Sequence, residues 1–467
     1  MREVKTVSRV YPDDGPLFLV VDLFCGFGGT STGYDEAEIN GQKIVKVIAA
    51  VNHDKNAIKS HWLNHPDVKH FEEDIRTLDL TELTALVNYY RKRYPNAKLI
   101  LWASLECTNY SKVKGGQARD ADSRTLANHL FRYQKALNPD YIKIENVVEF
   151  MSWGPMRIKT KKAHKDRTDL VIIKDRKTGE PIYGWQPIKK RNGEDFVKWS
   201  NKMCSLGYYQ DWKEMNSADY GAFTSRNRLF GCFAKPGLPI TWPPPTHSKH
   251  PDKGMFSDLQ KWNPVKQVLD FTNIGTSILN KDKKFSKKTY ERIYAGMQRH
   301  KNKFISSYYG NGHNSTSINS PSPTLKTKDS ATLITLIGII ENPSHGGNCT
   351  STDQPCPVIV ARQDKAPLYL LQCETGDLQI AIYDTDTEIE VKIKKFMMTH
   401  KLRDVKRRML LIPEMLRIQG FPDNYKMVGT KTNHKKFIGN SVHTLIPKFW
   451  AETMGRKIID GQNAKAA

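Results

Sequence analysis

The sequence predicts an α/β fold: a doubly wound parallel sheet under helices, followed by a second, smaller β-rich domain. Three observations carry this. Short apolar runs alternate with segments of helical period through the first 150 residues, the rhythm of βαβ units. The pattern breaks after Trp242-Pro243-Pro244-Pro245. Residues 305–371 then hold a degenerate repeat of short, turn-rich pieces.

Residues 17–24, 47–51, 99–103 and 141–144 are apolar runs of strand length. Residues 55–63, 81–94 and 123–137 have helical period, with Pro95 and Pro139 as stops. Residues 159–198 are dense in Lys and Arg and weak in periodicity, so they read as a basic insert. Within it, 182–185 can pair with 170–173 as a hairpin; a solvated surface and a nucleic-acid contact both fit its charge. The repeat runs from Gly312 to Thr324 and again, 34 residues later, from Gly346 to Val358. Each copy leads into an apolar stretch, 332–336 and 368–371. Two copies are too few for a solenoid, which leaves a local β duplication. Residues 408–451 regain helical character. The expected division is a catalytic domain over 1–235, a second domain over 236–404, and a segment 405–467 returning to the first.

The 467 residues carry 72 Lys and Arg against 49 Asp and Glu, a formal charge of +23, which favours a polyanionic partner. The seven cysteines are odd in number and form no CxxC pair. That argues against a disulfide framework or a zinc ribbon and fits a reducing cytosol with no metal. The run 333–340 is far shorter than the ~20 residues of a membrane span, and Asp22 interrupts the run 17–24. A soluble, cytoplasmic protein is expected.

Asp22-Leu23-Phe24-Cys25-Gly26-Phe27-Gly28-Gly29 closes the first strand and opens a helix. Glycines there let the backbone approach a ligand, and amides at a helix start attract anionic groups. A dinucleotide fingerprint needs a third glycine where Ser31 stands, so a nucleoside-type cofactor without a pyrophosphate fits better. Asn52 and His53 end the second strand, where a polar group can hold ribose hydroxyls. Asp74 and Ile75 end the third and can face an adenine. Cys107 follows the run 99–103 at the mouth of the sheet and precedes a glycine-bearing polar loop, 112–122.

Taken in order, these motifs resemble the cytosine-C5 DNA methyltransferases, in a divergent bacterial or phage-type form. Residues 22–29 look like that family's first motif, and Cys107 falls where its nucleophile falls. Asp122-Ser123-Arg124 and Leu126 match the following helix, Glu145-Asn146-Val147 its Glu-Asn-Val signature, and Arg226 and Arg228 its paired arginines. Residues 411–422 and Gly439-Asn440-Ser441-Val442 resemble the closing motifs. The resemblance implies a Rossmann-like methyltransferase sheet, S-adenosylmethionine as cofactor and duplex DNA as substrate. The second domain becomes one for target recognition, and a cognate restriction endonuclease a candidate companion of a monomer. Cys107 would add to C6 of a flipped cytosine, Glu145 would serve N3, and Arg226 would stand near O2. Phe24, Phe27, Asn440 and Val442 would join the cofactor pocket, and Ser111, Lys112 and Lys114 would meet phosphates. Three positions depart from the pattern: Glu106 stands where the family has Pro, Phe223-Thr224 where it has Pro-Gln, and Asn52 where it has an acid. An RNA cytosine-C5 methyltransferase and an inactive DNA-binding relative are the rival readings.

Overall fold

The computed structural model describes residues 15–105, 126–164, 167–174, 181–252, 258–273, 275–279, 284–300, 303–308, 315–317, 331–335, 339–341, 347–351, 355–356, 368–375, 380–400 and 402–466. Its first sheet has seven strands: β1 (Phe18–Leu23), β2 (Val45–Val51), β3 (Lys69–Phe71), β4 (Lys98–Ser104), β5 (Tyr141–Asn146), β6 (Tyr209–Asn216) and β7 (Asn227–Ala234). They lie in the order β6-β7-β5-β4-β1-β2-β3. Five neighbours, β5 to β3 in that order, run parallel, and β7 is antiparallel to both β5 and β6. The order reverses at β1, so the carboxyl ends of β1 and β4 flank the switch point where ligands bind in such sheets.

The central strands are almost wholly buried because helices cover both faces, and Asp22, Lys143 and Glu145 are polar side chains buried among their apolar ones. On one face Leu19, Val21, Leu101 and Ile144 pack against α3 (Thr81–Arg93), α4 (Leu130–Leu137) and α5 (Glu194–Ser205). On the other, Phe18, Val20, Ile100 and Trp102 meet Tyr34 of α1 (Gly29–Glu36) and Trp450 of the last helix, α10 (Leu445–Ala466). The chain's final helix therefore returns to the first sheet. Residues 441–444 reach α1 only because of two glycines: a Cβ on Gly29 would lie 2.0 Å from Ser441 Oγ, and one on Gly33 would lie 2.1 Å from the Thr444 carbonyl oxygen.

A second sheet contains β8 (Thr276–Ser277), β9 (Lys303–Tyr308), β10 (Ser315–Ser317), β11 (Ala331–Thr335), β12 (Ile339–Glu341), β13 (Gly347–Ser351), β14 (Leu368–Thr375) and β15 (Leu402–Met409). The strands that follow the two repeat copies, β11 and β14, meet in parallel at Ala331 and Leu368. Helix α6 (Lys287–His300) buries Tyr290, Ile293 and Met297 beside Ile389, Ile393 and Met397 of α7 (Glu388–Thr399). That core continues into α8 (Ile412–Ile418) and α9 (Lys431–Asn440). The basic insert does form the expected hairpin, with Ile173 opposite Ile182. Among the described residues, no helix is long and apolar enough to cross a membrane.

Candidate active site

The carboxyl ends of β1, β4 and β5 lie side by side along one rim of the sheet, with Leu23 opposite Ala103 and Ser104 opposite Glu145. After Leu23 the chain turns sharply: Phe24 takes φ 57° and Gly26 φ 57°. A bulky residue in the left-handed region is strained and marks a backbone held by its surroundings. A Cβ on Gly26 would meet nothing within 4 Å, so this glycine opens on free space. Gly28 and Gly29 differ. A Cβ on Gly28 would lie 2.3 Å from Tyr425 Oη and 3.0 Å from His65 Nε2, and Gly29 faces Ser441. The room expected at all three glycines is thus filled by protein at two of them. Phe27, expected in the cofactor pocket, is 1% exposed. Its ring packs at 4.5 Å from Phe421 and 5.4 Å from Tyr425, so it serves the core that joins the glycine turn to the chain's last third.

Asn52 accepts the Asp54 amide at 2.8 Å, while His53 is exposed. The Asp74 carboxylate receives Arg76 Nε at 3.0 Å and Nη2 at 2.7 Å, and these hydrogen bonds hold its pKa down to about 2. Asp74 is therefore a charged acceptor already engaged by Arg76. Ile75 is buried, and its carbonyl accepts Tyr133 Oη–H at 2.9 Å, so its side chain is core. Leu126 is buried at the start of a short 3₁₀ turn. Asn440 is exposed at the end of α9, and Val442 is buried against the first sheet.

Register carries β4 and β5 out together, with Ser104 opposite Glu145. Glu145 is buried and stands 3.3 Å from Arg228 Nε. Arg226 is placed otherwise: it is buried, and its Nη1 donates to the Gly439 carbonyl at 3.1 Å, tying the start of β7 to α9. The guanidinium beside Glu145 is thus that of Arg228, not Arg226. The altered approach to this pair also has a partner. Phe223 and Ser225 hydrogen-bond through their backbones to Cys356 of the second repeat copy, and Thr224 bridges to it. Asn146 was not singled out from the sequence, although it lies inside the quoted Glu-Asn-Val motif. Its Oδ1 accepts the Val147 amide, and its buried Nδ2 has no partner among the described residues. Glu106, Cys107, Ser111, Lys112 and Lys114 lie outside the described residues.

Beneath the glycine turn runs a buried polar chain that the sequence did not announce. Asp22 is fully buried, and desolvation pushes its pKa up to about 7. Ser31 Oγ–H donates to Asp22 Oδ2 at 2.9 Å, His61 Nε2 lies 2.9 Å from Ser31 Oγ, and His70 Nε2 lies 2.8 Å from His61 Nδ1. One tautomer set satisfies every link: each histidine carries its proton on Nε2 and donates toward Asp22. Burial drives His61 well below its usual range and His70 down to about 4. These rings are neutral in the folded state and near 6.5 when unfolded, so the unfolded chain binds more protons between about pH 4 and 6.5. The histidines' contribution to stability is accordingly expected to fall by about 1–2 kcal/mol on going from pH 7 to 5, the His70 share being reduced by its partial solvation, while Asp22, which takes up a proton in the folded state over the same range, offsets part of that loss. Thermal melts of wild type and His70→Gln at both pH values check this, the variant losing less on acidification.

The sequence model of a family described as C-5 cytosine-specific DNA methylase matches residues 18–159 and 187–456. Type II methyltransferase M1.HphI of Haemophilus parahaemolyticus is 25% identical over 235 residues, 49% of this chain and 49% of its own. Type II methyltransferase M.DdeI of Desulfomicrobium norvegicum is 26% identical over 221 residues, 47% of this chain and 41% of its own. The chain spans about half the length, or less, of these curated relatives. The crystal structure of S. pombe Dnmt2 methyltransferase covers 94% of this chain and 99% of its own at 13% identity, with a TM-score of 0.47.

Proposed function

The chain belongs to the C-5 cytosine-specific DNA methylase family, and on that premise we propose that it methylates C5 of cytosine in duplex DNA. The observation that carries the reading is the buried Glu145–Arg228 pair on β5 and β7, next to the strand end that leads to Cys107. S-adenosylmethionine, when bound, supplies an electrophilic methyl group on a sulfonium. The rim fits a nucleoside of that kind: Gly26 opens on free space, Asn52 offers a carboxamide, and Asp74 holds a charged carboxylate.

The chain's own residues account for activation of the base. The Cys107 thiolate adds to C6 of an extruded cytosine, and the electron pair of the C5–C6 bond moves toward N3 and O2. The Glu145 carboxyl gives a proton to N3, and the Arg228 guanidinium meets the charge growing on O2. C5 is then nucleophilic and takes the methyl as its bond to the sulfonium breaks, which leaves a neutral thioether. Water takes the C5 proton, the C5–H pair rebuilds the C5–C6 double bond and expels Cys107 as thiolate, and N3 returns its proton to Glu145, so the enzyme ends as it began. Residues 236–404 are assigned to reading base edges in the major groove, which carry a distinguishable pattern.

The test uses labelled cofactor with duplex DNA and with tRNA. Transfer to duplex DNA by wild type, its loss in Cys107→Ser, and a covalent adduct on 5-fluorocytosine DNA are expected. Transfer to tRNA alone would favour the RNA reading; no transfer and no adduct would favour an inactive DNA binder.

A further inference from the structure

The family's sequence model stops at residue 159 and resumes at 187. Between those points the chain builds a fork. A stem pairs Met156–Ile158 with Trp185–Pro187, and two prongs pair Thr160–His164 with Arg167–Leu170 and Ile172–Lys174 with Pro181–Tyr183. The three ladders meet in a closed ring of backbone hydrogen bonds. The Lys159 amide donates to Gly184 at 2.7 Å, the Gly184 amide to Val171 at 2.7 Å, and the Val171 amide to Lys159 at 2.8 Å. Two prongs are thus tied to one stem by backbone hydrogen bonds.

The base of the stem is held firmly. The Trp153 carbonyl accepts the amides of Asp195 and Phe196, both at 3.1 Å, at the start of α5. Its ring stacks 5.9 Å from Phe150, within the aromatic cluster that includes Trp199. A Cβ on Gly154 would lie 2.2 Å from the Arg191 carbonyl oxygen, so backbone packs on backbone there. The stem also stands close to the candidate site along the chain. A single short turn, Val148–Ser152, lies between Asn146 at the end of β5 and the stem's anchor at Trp153.

Charge decides what such a fork meets. Residues 156–187, the whole fork, hold nine Lys and Arg against four Asp and Glu. That is net +5 in 32 residues, against +23 for all 467, about three times the mean charge density of the chain. Leu170, Ile172 and Tyr183 are exposed on the same prongs. A merely solvated loop needs neither this charge density nor an anchored base. A duplex offers one phosphate per ~1.7 Å of axis, a surface that a rigid basic fork can follow.

We infer that the fork is a second DNA-contacting element, gripping the phosphates of duplex that flanks the target cytosine. This rests on the proposed DNA substrate, and the prongs that make the contact lie between the matched family segments. Contacts of this kind position the protein without reading sequence.

Two variants test it. In one, Asn-Gly replaces residues 160–183; Lys159 and Gly184 are already hydrogen-bonded across the stem, as a two-residue hairpin loop requires. In the other, Lys161→Gln, Lys162→Gln, Arg167→Gln and Lys174→Gln neutralise the prongs on an intact backbone. Affinity for a labelled 40-bp random-sequence duplex is measured by anisotropy across a salt series. Each phosphate that the protein no longer neutralises is expected to flatten the log–log salt slope by about 0.9 and to weaken binding about fivefold at 0.15 M salt. The expected change in slope is about 2–4 for both variants, with S-adenosylmethionine binding unchanged. Slopes equal to wild type in both variants would overturn the inference. Wild type that binds duplex with the full slope yet transfers no methyl to it would instead overturn the proposed reaction.

Discussion

Glu145→Gln is expected to lower methyl transfer to duplex DNA by about 10²–10⁴-fold, the range for loss of a positioned acid–base group. Glutamine keeps the shape but can neither give a proton to N3 nor take it back, and it removes the carboxyl that stands 3.3 Å from Arg228 Nε. Arg228→Gln is expected to cost about 10²–10³-fold, as for removal of one oxyanion donor. Arg226→Ala is expected to act differently. Its guanidinium holds the Gly439 carbonyl at 3.1 Å between β7 and α9, so its removal lowers the melting temperature through about 1–3 kcal/mol of forfeited hydrogen bonding. Single-turnover transfer and thermal melts on the same three variants separate these effects. An Arg228→Gln protein of wild-type activity, beside a stable but inactive Arg226→Ala, would reverse the assignment of the two arginines.

The contrast between these arginines shows where the sequence was readable and where it was not. Strand and helix periods came through because burial imposes them on almost every residue of β1, β2, β4 and β5. The motif order placed Glu145 and Gly26 on the rim for the same reason: the sheet brings strand ends together whatever lies between them. What spacing cannot tell is which of two arginines, Arg226 just before β7 or Arg228 within it, stands beside Glu145. That depends on Gly439, more than 200 residues away in the chain. Phe27 and Gly28 illustrate the same limit. Their motif suggested ligand contact, yet Phe421, Tyr425 and His65 occupy the space around them. The chain from Asp22 to His70 was invisible because its four residues come from β1, α1, the helix Lys55–Asn64 and β3, and no local pattern joins them. The departure at Phe223-Thr224 has its partner in Cys356 of the second repeat copy, far along the chain, where no local spacing points to it.

Lys143→Met is expected to stabilise the protein. Lys143 lies at the centre of the first sheet, fully buried, with no hydrogen-bond partner for Nζ among the described residues. Its ammonium sits 4.0 Å from the Trp450 ring centroid and 5.7 Å from that of Tyr34. Desolvation dominates over these ring faces and lowers its pKa to about 7. The depression from 10.5 corresponds to a penalty on the order of 4–5 kcal/mol at neutral pH, of which a cation–π contact returns at most about 2. Methionine fills a similar volume, carries no charge and suits an aromatic cage. The pH dependence distinguishes this cause from better packing alone. Between about pH 7 and 10.5 the unfolded lysine is protonated and the folded one is not, so wild-type stability rises with pH across that window by up to about 1.4 kcal/mol per unit. In Lys143→Met that contribution is gone, and the gain over wild type shrinks steadily from pH 7 toward 10. Denaturant melts at pH 7, 8.5 and 10 provide the measurement. A variant no more stable than wild type at pH 7, or one whose advantage does not change with pH, would mean that burying the amine does not destabilise the folded state.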